Sequence, residues 1–203
     1  MKIKKITIKN EGYIQCRSGF YTSQDGLSAD EEYCFHTGIN KLCGEIDSGV
    51  WAVSYLLSMY NHNIKEFILF DNPEVTVNDT VMPLEDFLRY SCYMDKSYPL
   101  FSTKNSVEKM VAKGIRKNKL DYSTEEIRDL FCIHPARFER PLTGVGNEVF
   151  KCMAAIAYCH EKEVYCFPWL SKMRFASYHY NMTGLLEILA RLDKIVISPR
   201  GEY

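Results

Sequence analysis

Gly44-Glu45-Ile46-Asp47-Ser48-Gly49-Val50-Trp51 is the stretch whose reading decides the fold. Its two glycines enclose four residues, the spacing of the phosphate-cradling pattern G-x-x-x-x-G-K-[ST]. Val50 stands in the lysine position and Trp51 in the Ser/Thr position. Upstream, the segment from Phe35 to Cys43 reads as a strand leading into the first glycine. Downstream, Val50, Val53, Leu56, Leu57 and Tyr60 recur at helical spacing. Strand, glycine turn and helix form the context that such a loop needs. The only other tryptophan, Trp169, follows the apolar run Val164-Tyr165-Cys166-Phe167.

Working outward, Ile6 and Ile8 alternate with polar residues as in a strand, and residues 11–33 read as turns linking short strands. Phe67 to Phe70 is a short apolar run closed by Asp71-Asn72-Pro73, and reads as a strand. Helices are expected from Pro83 through Leu88, from Ser106 to Lys113, from Ser123 to Cys132 and from Glu148 to Tyr158. Ser123-Thr124-Glu125-Glu126 is a capping box, in which the serine and the glutamate satisfy each other's orphan backbone donors. Val164 to Phe167 and Ile195 to Ile197 are all-apolar runs, as in buried parallel strands. Asn181 is expected to cap a helix from Met182 to Leu192. Strands at both ends and helices between them predict an α/β fold: a core sheet flanked by helices, with an inserted helical lobe. The expected organisation is one domain over residues 1–203, with the core at about 1–83 and 161–203 and the lobe at about 84–160.

The 203 residues suffice for a full core without metal or disulfide support. A formal net charge of -1 gives no basic excess, so nucleic acid is not an expected partner. The basic start Met1-Lys2-Ile3-Lys4-Lys5 is followed by no apolar region and is not read as a signal peptide. No apolar run reaches the length of a membrane span. The eight cysteines, at 16, 34, 43, 92, 132, 152, 159 and 166, include no C-x-x-C pair and read as reduced thiols, mostly buried, in a cytoplasmic protein. Cys159-His160 is the one tight soft-ligand pair, short of the four ligands a zinc site needs, so no metal or other cofactor is expected. His36, His62, His134, His160 and His179 are scattered and read as structural or surface residues. Tyr178-His179-Tyr180, dense in aromatic residues, reads as packing at a helix entry, with a contact surface as the alternative.

The order and spacing of these segments resemble the ATP-binding subunit of ABC transporters, a P-loop NTPase, over roughly residues 35 to 200. Gly44 through Trp51 resembles the Walker A loop with Gly44 and Gly49 kept. Asp47 replaces a glycine, and Ser48, Val50 and Trp51 complete the stretch. Ser91 to Asp95 is similar to the strand leading to the Q-loop, with Asp95 in the glutamine position. Leu142-Thr143-Gly144-Val145-Gly146 resembles the LSGGQ signature, with Val145 in place of the second glycine. Val164 to Phe167 resembles the Walker B strand. Pro168 then stands where the magnesium-binding aspartate belongs, and Trp169 where the general base belongs. Pro199 stands in the switch-histidine position.

The resemblance implies a nucleotide-binding scaffold from which the lysine, the magnesium ligands, the base and the switch histidine are all missing. Phosphoryl transfer rests on positioning and electrostatic stabilisation, so no catalytic residue and no ATP hydrolysis are expected. It also implies a contact between two such domains, because the family works as head-to-tail dimers. A homodimer, or a heterodimer with an intact ATPase subunit, is therefore expected, along with a membrane permease as a further partner and a membrane-peripheral place through it. The expected role is structural or regulatory. The alternatives are a stand-alone binding or self-association module, and a nucleotide hydrolase with a displaced site. Trp51 and Trp169 are expected to converge at one end of one sheet. Val145 and Phe150 are expected to be exposed on the contact face.

Overall fold

The computed structural model describes residues 1–9, 16–18, 21–23, 32–44, 50–59 and 74–201. Its architecture is mixed α/β, with a parallel sheet covered by helices, as the sequence predicts. The parallel sheet consists of β5 (Gly38–Cys43), β8 (Ser91–Tyr93), β9 (Val164–Cys166) and β10 (Ile195–Arg200), in the order β5-β10-β9-β8. The strands are short and apolar because both faces are covered: Val164 to Cys166 and Ile195 to Ile197 are fully buried. Helix α1 (Val50–Met59) packs across all four strands. Helix α8 (His179–Arg191) packs on β5 and β10. The step from β5 to β8 crosses the sheet one way and the steps to β9 and β10 return. Right-handed crossovers therefore place the intervening helices on opposite faces. Neighbouring side chains of β9 agree with this. The Cys166 thiol meets Ser54 and Ser58 of α1, whereas Tyr165 faces Tyr158 and Cys159 of α6 (Val149–Cys159).

A second sheet is antiparallel, in the order β4-β1-β6-β7, from β1 (Lys5–Lys9), β4 (Glu32–His36), β6 (Glu74–Val77) and β7 (Thr80–Met82). Alternation sends Ile6, Ile8, Phe35, Val75 and Val77 into the core. Asn78 and Asp79 make the β6–β7 turn with φ of 49° and 64°, a left-handed conformation that short polar side chains tolerate. The strands β2 (Cys16–Ser18) and β3 (Tyr21–Ser23) form a separate hairpin. The sequence reading missed β6 and β7. The strand expected at Phe67 to Phe70 lies outside the described residues.

The stretch from 84 to 160 holds α2 (Leu84–Phe87), α3 (Val107–Asn118), α4 (Thr124–Leu130), α5 (Pro135–Phe138) and α6. It also holds β8, which is the edge of the parallel sheet. Ser106 caps α3 by accepting from the Lys109 N–H, and α3 continues past Lys113 to Asn118. Ser123 and Glu126 form the expected reciprocal box at α4. Helices α3 and α6 pack closely because Gly114 has no side chain: a Cβ there would sit 2.8 Å from that of Cys159. Asn181 is not a cap. Helix α8 begins at His179, two residues earlier, and its first turn follows directly on α7 (Lys172–Ser177), which the sequence reading missed and which Ser171 caps.

Candidate functional site

Gly44, Asp95, Pro168 and Trp169 lie at the carboxyl ends of β5, β8 and β9, the end at which open α/β sheets bind their ligands. Gly44 follows β5 directly, and its N–H donates to the Arg200 carbonyl at the end of β10 at 3.0 Å. The Gly44 carbonyl in turn accepts from the indole Nε1 of Trp169, also at 3.0 Å. Thus Gly44, the first glycine of the spaced pair, and Trp169 are joined directly, 125 residues apart in the chain. Trp169 is half-buried and packs against the core. Its neighbour Pro168 offers no side-chain oxygen for a cation.

Helix α1 starts at the same end. Ser54, within its first two turns, donates to the Phe167 carbonyl at 2.6 Å, and Ser58 donates to the Ser54 carbonyl at 2.7 Å. Val50 and Trp51 occupy the first turn of this helix. Asp47, Ser48 and Gly49 lie outside the described residues, as does the expected approach of the Trp51 ring to Trp169.

Asp95 follows β8, and the Met94 N–H extends the pairing to the Cys166 carbonyl at 2.8 Å. The Asp95 carboxylate is engaged locally: one oxygen accepts from the Ser97 N–H at 2.8 Å and from its hydroxyl at 2.7 Å. Pro199 lies inside β10 opposite Leu42 of β5, and its carbonyl accepts from the Leu170 N–H. It is therefore part of the sheet. Next to it, the Arg200 guanidinium stacks 3.9 Å from the centre of the Phe175 ring.

A cleft of about 520 Å³ opens beside these residues. Asp95, Pro168, Trp169, Phe150 and Tyr178 line it, with Arg174 among the lining side chains. Phe150 meets Phe167 and Tyr178 at ring-centre distances of 5.6 Å, so one wall is aromatic, while Asp95, Lys96 and Arg174 bring charged groups to the rest of the lining. Among the described residues, no group of three or more His, Cys, Asp or Glu side chains is placed to hold a metal ion. His160 packs beside Gly114, and burial lowers its pKa below the usual histidine value.

The signature-like residues lie in two 3-10 turns, Leu142–Gly144 and Gly146–Glu148, ahead of α6. Here the structure corrects the sequence reading. Val145 is 0% exposed and Phe150 9%, so neither offers an apolar contact face. Leu142 is buried as well, and Thr143 and Gly146 are the exposed members of the motif. An isolated motif reads as a loop, but these turns close over the α6 core, which absorbs their apolar side chains. Arg137 holds the turn by donating to the Gly144 carbonyl at 3.1 Å. Gly146 has φ of 60°, the left-handed region, whereas Gly144 does not need to be glycine.

Compared with solved structures, the chain matches an ABC transporter ATP-binding protein from Pyrococcus furiosus with a TM-score of 0.64 and 15% identity, over 98% of this chain and 92% of that one. A bacterial Atm1-family ABC exporter, solved with ATP bound, matches with a TM-score of 0.63 and 11% identity, over 97% of this chain and 34% of the exporter. The ATP-binding subunit of another ABC transporter matches with a TM-score of 0.58 and 10% identity, over 97% of this chain and 79% of that one. The fold is that of an ABC ATP-binding subunit. No protein-family model and no curated sequence matches the chain. At these identities the likeness is one of fold. Within this ABC-type fold, no helix of the described residues is long and apolar enough to cross a membrane.

Proposed function

We propose that this chain is a degenerate ABC ATP-binding-subunit-like protein that does not hydrolyse ATP and serves as a structural or regulatory partner of an ABC transporter or of an active ATPase subunit. The observation that carries the reading is the bond from Trp169 to the Gly44 carbonyl. In the position resembling the general base, an indole closes onto the strand that enters the glycine loop. The side chains at the positions named by the resemblance do not fit magnesium-ATP. Val50 brings no cation, Pro168 no metal ligand, and one Asp95 oxygen is already engaged by Ser97. Packing between the ends of β5 and β9 replaces what a bound phosphate contributes elsewhere. In this reading the core at about 1–83 and 161–203, together with β8, is the scaffold, and the helices between about 84 and 160 form the lobe. The partner is a second copy or an intact ATPase subunit, with a permease reached through it, so that a cytoplasmic chain becomes membrane-peripheral.

Calorimetric titration with ATP and magnesium tests the loss of the site: no heat of binding is expected at millimolar nucleotide. A dissociation constant below a millimolar that a Gly49→Ala change weakens would overturn it. Light scattering on the purified chain, and affinity capture followed by identification of a permease or intact ATPase, test the partner. A strictly monomeric chain that captures neither would replace this role with a stand-alone module.

A further inference from the structure

The outer face of the antiparallel sheet carries a pair of side chains that the proposed function does not use. Phe35 is 2% exposed, which pins the register of β4. Its neighbours Cys34 and His36 must then both face outward, and both are exposed. Among the described residues, strand β4 is the edge of its sheet. The Cys34 sulfur lies 3.4 Å from His36 Nε2. Thr7, directly opposite on β1, directs its hydroxyl at the same sulfur at 3.8 Å.

We propose that Cys34 and His36 form a thiol–imidazole pair that undergoes exchange with low-molecular-weight disulfides, making β4 a site of reversible mixed-disulfide modification. His36 Nε2 takes the thiol proton. The resulting thiolate attacks one sulfur of the disulfide, forming a protein–S–S–R bond. The R–S bond breaks, and the leaving thiolate takes the proton from the imidazolium. The Thr7 hydroxyl donates to the sulfur while it is negative.

The surrounding charges are mixed. Glu32 lies two residues along β4, opposite Lys9 of β1, which faces Glu74 of β6 on its other side. Lys5 lies opposite His36 and is paired with Asp79 at 2.8 Å. From β5 the side chain meeting His36 is Asn40. It accepts from the His36 N–H, and its amide donates to the carbonyls of His36 and of Val196 on β10. The imidazole is the one group among these placed to receive the thiol proton. Burial, by contrast, keeps the Cys92, Cys152 and Cys159 thiols protonated.

The test compares Cys34 with Cys132, which is also exposed but whose histidine two residues on, His134, accepts from the Ala136 N–H through Nδ1. Trypsin separates the two, in peptides 18–41 and 129–137, each with a single cysteine. The intact protein is treated with glutathione disulfide across pH 6 to 10, and the mixed disulfides are quantified by mass spectrometry. At pH 7, Cys34 should react about 10-fold faster than Cys132. His36→Gln should bring Cys34 down to the Cys132 rate and leave Cys132 unchanged, a control for folding. At pH 10, where hydroxide can take the thiol proton in place of the imidazole, parent and variant should converge. Equal Cys34 rates in parent and variant at pH 7 would overturn the proposal. So would a loss of rate that persists at pH 10.

Discussion

Trp169 donates through Nε1 to the carbonyl of Gly44 at 3.0 Å, and Gly44 donates through its N–H to Arg200. Three chain segments distant in sequence are thereby fastened at one end of the parallel sheet: the exits of β5 and β10, and the segment after β9. A partly buried carbonyl that loses its donor is left poorly solvated. Trp169→Phe removes the N–H together with one of the two fused rings, so it should cost at least about 1 kcal/mol in urea denaturation, the lost bond plus lost packing. A stability within a few tenths of the parent would show that the bond contributes nothing.

Glycines with different surroundings should respond differently to alanine. At Gly114 the added Cβ meets Cys159 Cβ at 2.8 Å and its carbonyl oxygen at 2.9 Å, so α3 and α6 must separate. A cost of roughly 1–3 kcal/mol follows. At Gly144 the nearest atoms belong to Arg140, at an ordinary 3.5 Å, and the effect should stay within about 0.5 kcal/mol. Thermal melting should rank Gly114→Ala well below Gly144→Ala; the opposite order would contradict the packing described.

Val145 offers a sharper test of the corrected signature-like turn. A residue at 0% exposure has no room to solvate a carboxylate. Val145→Asp should destabilise by about 3 kcal/mol or more and broaden or abolish the melting transition. If the variant instead melted like the parent and only its oligomeric state changed, Val145 would be a surface residue after all.

Glu163 and Lys194 form an ion pair whose side chains are 13% and 12% exposed. Lys194 Nζ also stands 5.5 Å from the centre of the Tyr158 ring. Truncating one partner strands the other charge, so Glu163→Leu or Lys194→Met alone should cost about 3–5 kcal/mol. The double variant should recover most of that loss, because two matched apolar groups carry no desolvation penalty. Additive single losses in the double-mutant cycle would rule out the coupling.

Alkaline pH should unfold the protein through its buried thiols and a tyrosine. Burial pushes Cys92, Cys152 and Cys159 from 9.0 up to about 12, and Tyr55 from 10.0 up to about 12. The folded state therefore holds protons that the unfolded chain releases. This stabilisation is fully present below pH 9 and is lost as pH rises from 9 through 12. Urea midpoints should fall steadily over that window, and less steeply in Cys92→Ala, measured against its own value at pH 8. A midpoint independent of pH up to 11 would contradict it.

Much of the scaffold was legible in the sequence because its signals are local. The alternation of Ile6 and Ile8, the reciprocal cap of Ser123 and Glu126, and the unbroken apolar runs at Val164 and Ile195 each follow from the nearest few residues. The glycine spacing at 44 and 49, set between a strand and a helix, pointed to the α/β fold that the structure has.

What the sequence left open was decided by partners far along the chain. Nothing near Val145 or Phe150 shows that the α6 core will bury them. Nothing near Asn181 shows that α8 will start at His179 by following directly on α7. The β6–β7 hairpin needs β1 beside it before its alternation means anything. The bond between Trp169 and Gly44 exists only because β10 and β9 lie side by side, bringing their exits within reach of the end of β5. Periodicity and capping are set by neighbours within a few residues, whereas burial and hydrogen-bond partners depend on which strands pair. The sequence alone thus determined the elements whose signals are local and the kind of fold. The tertiary structure decided which of the marked residues meet, which are buried, and that Cys34 and His36 share an open face.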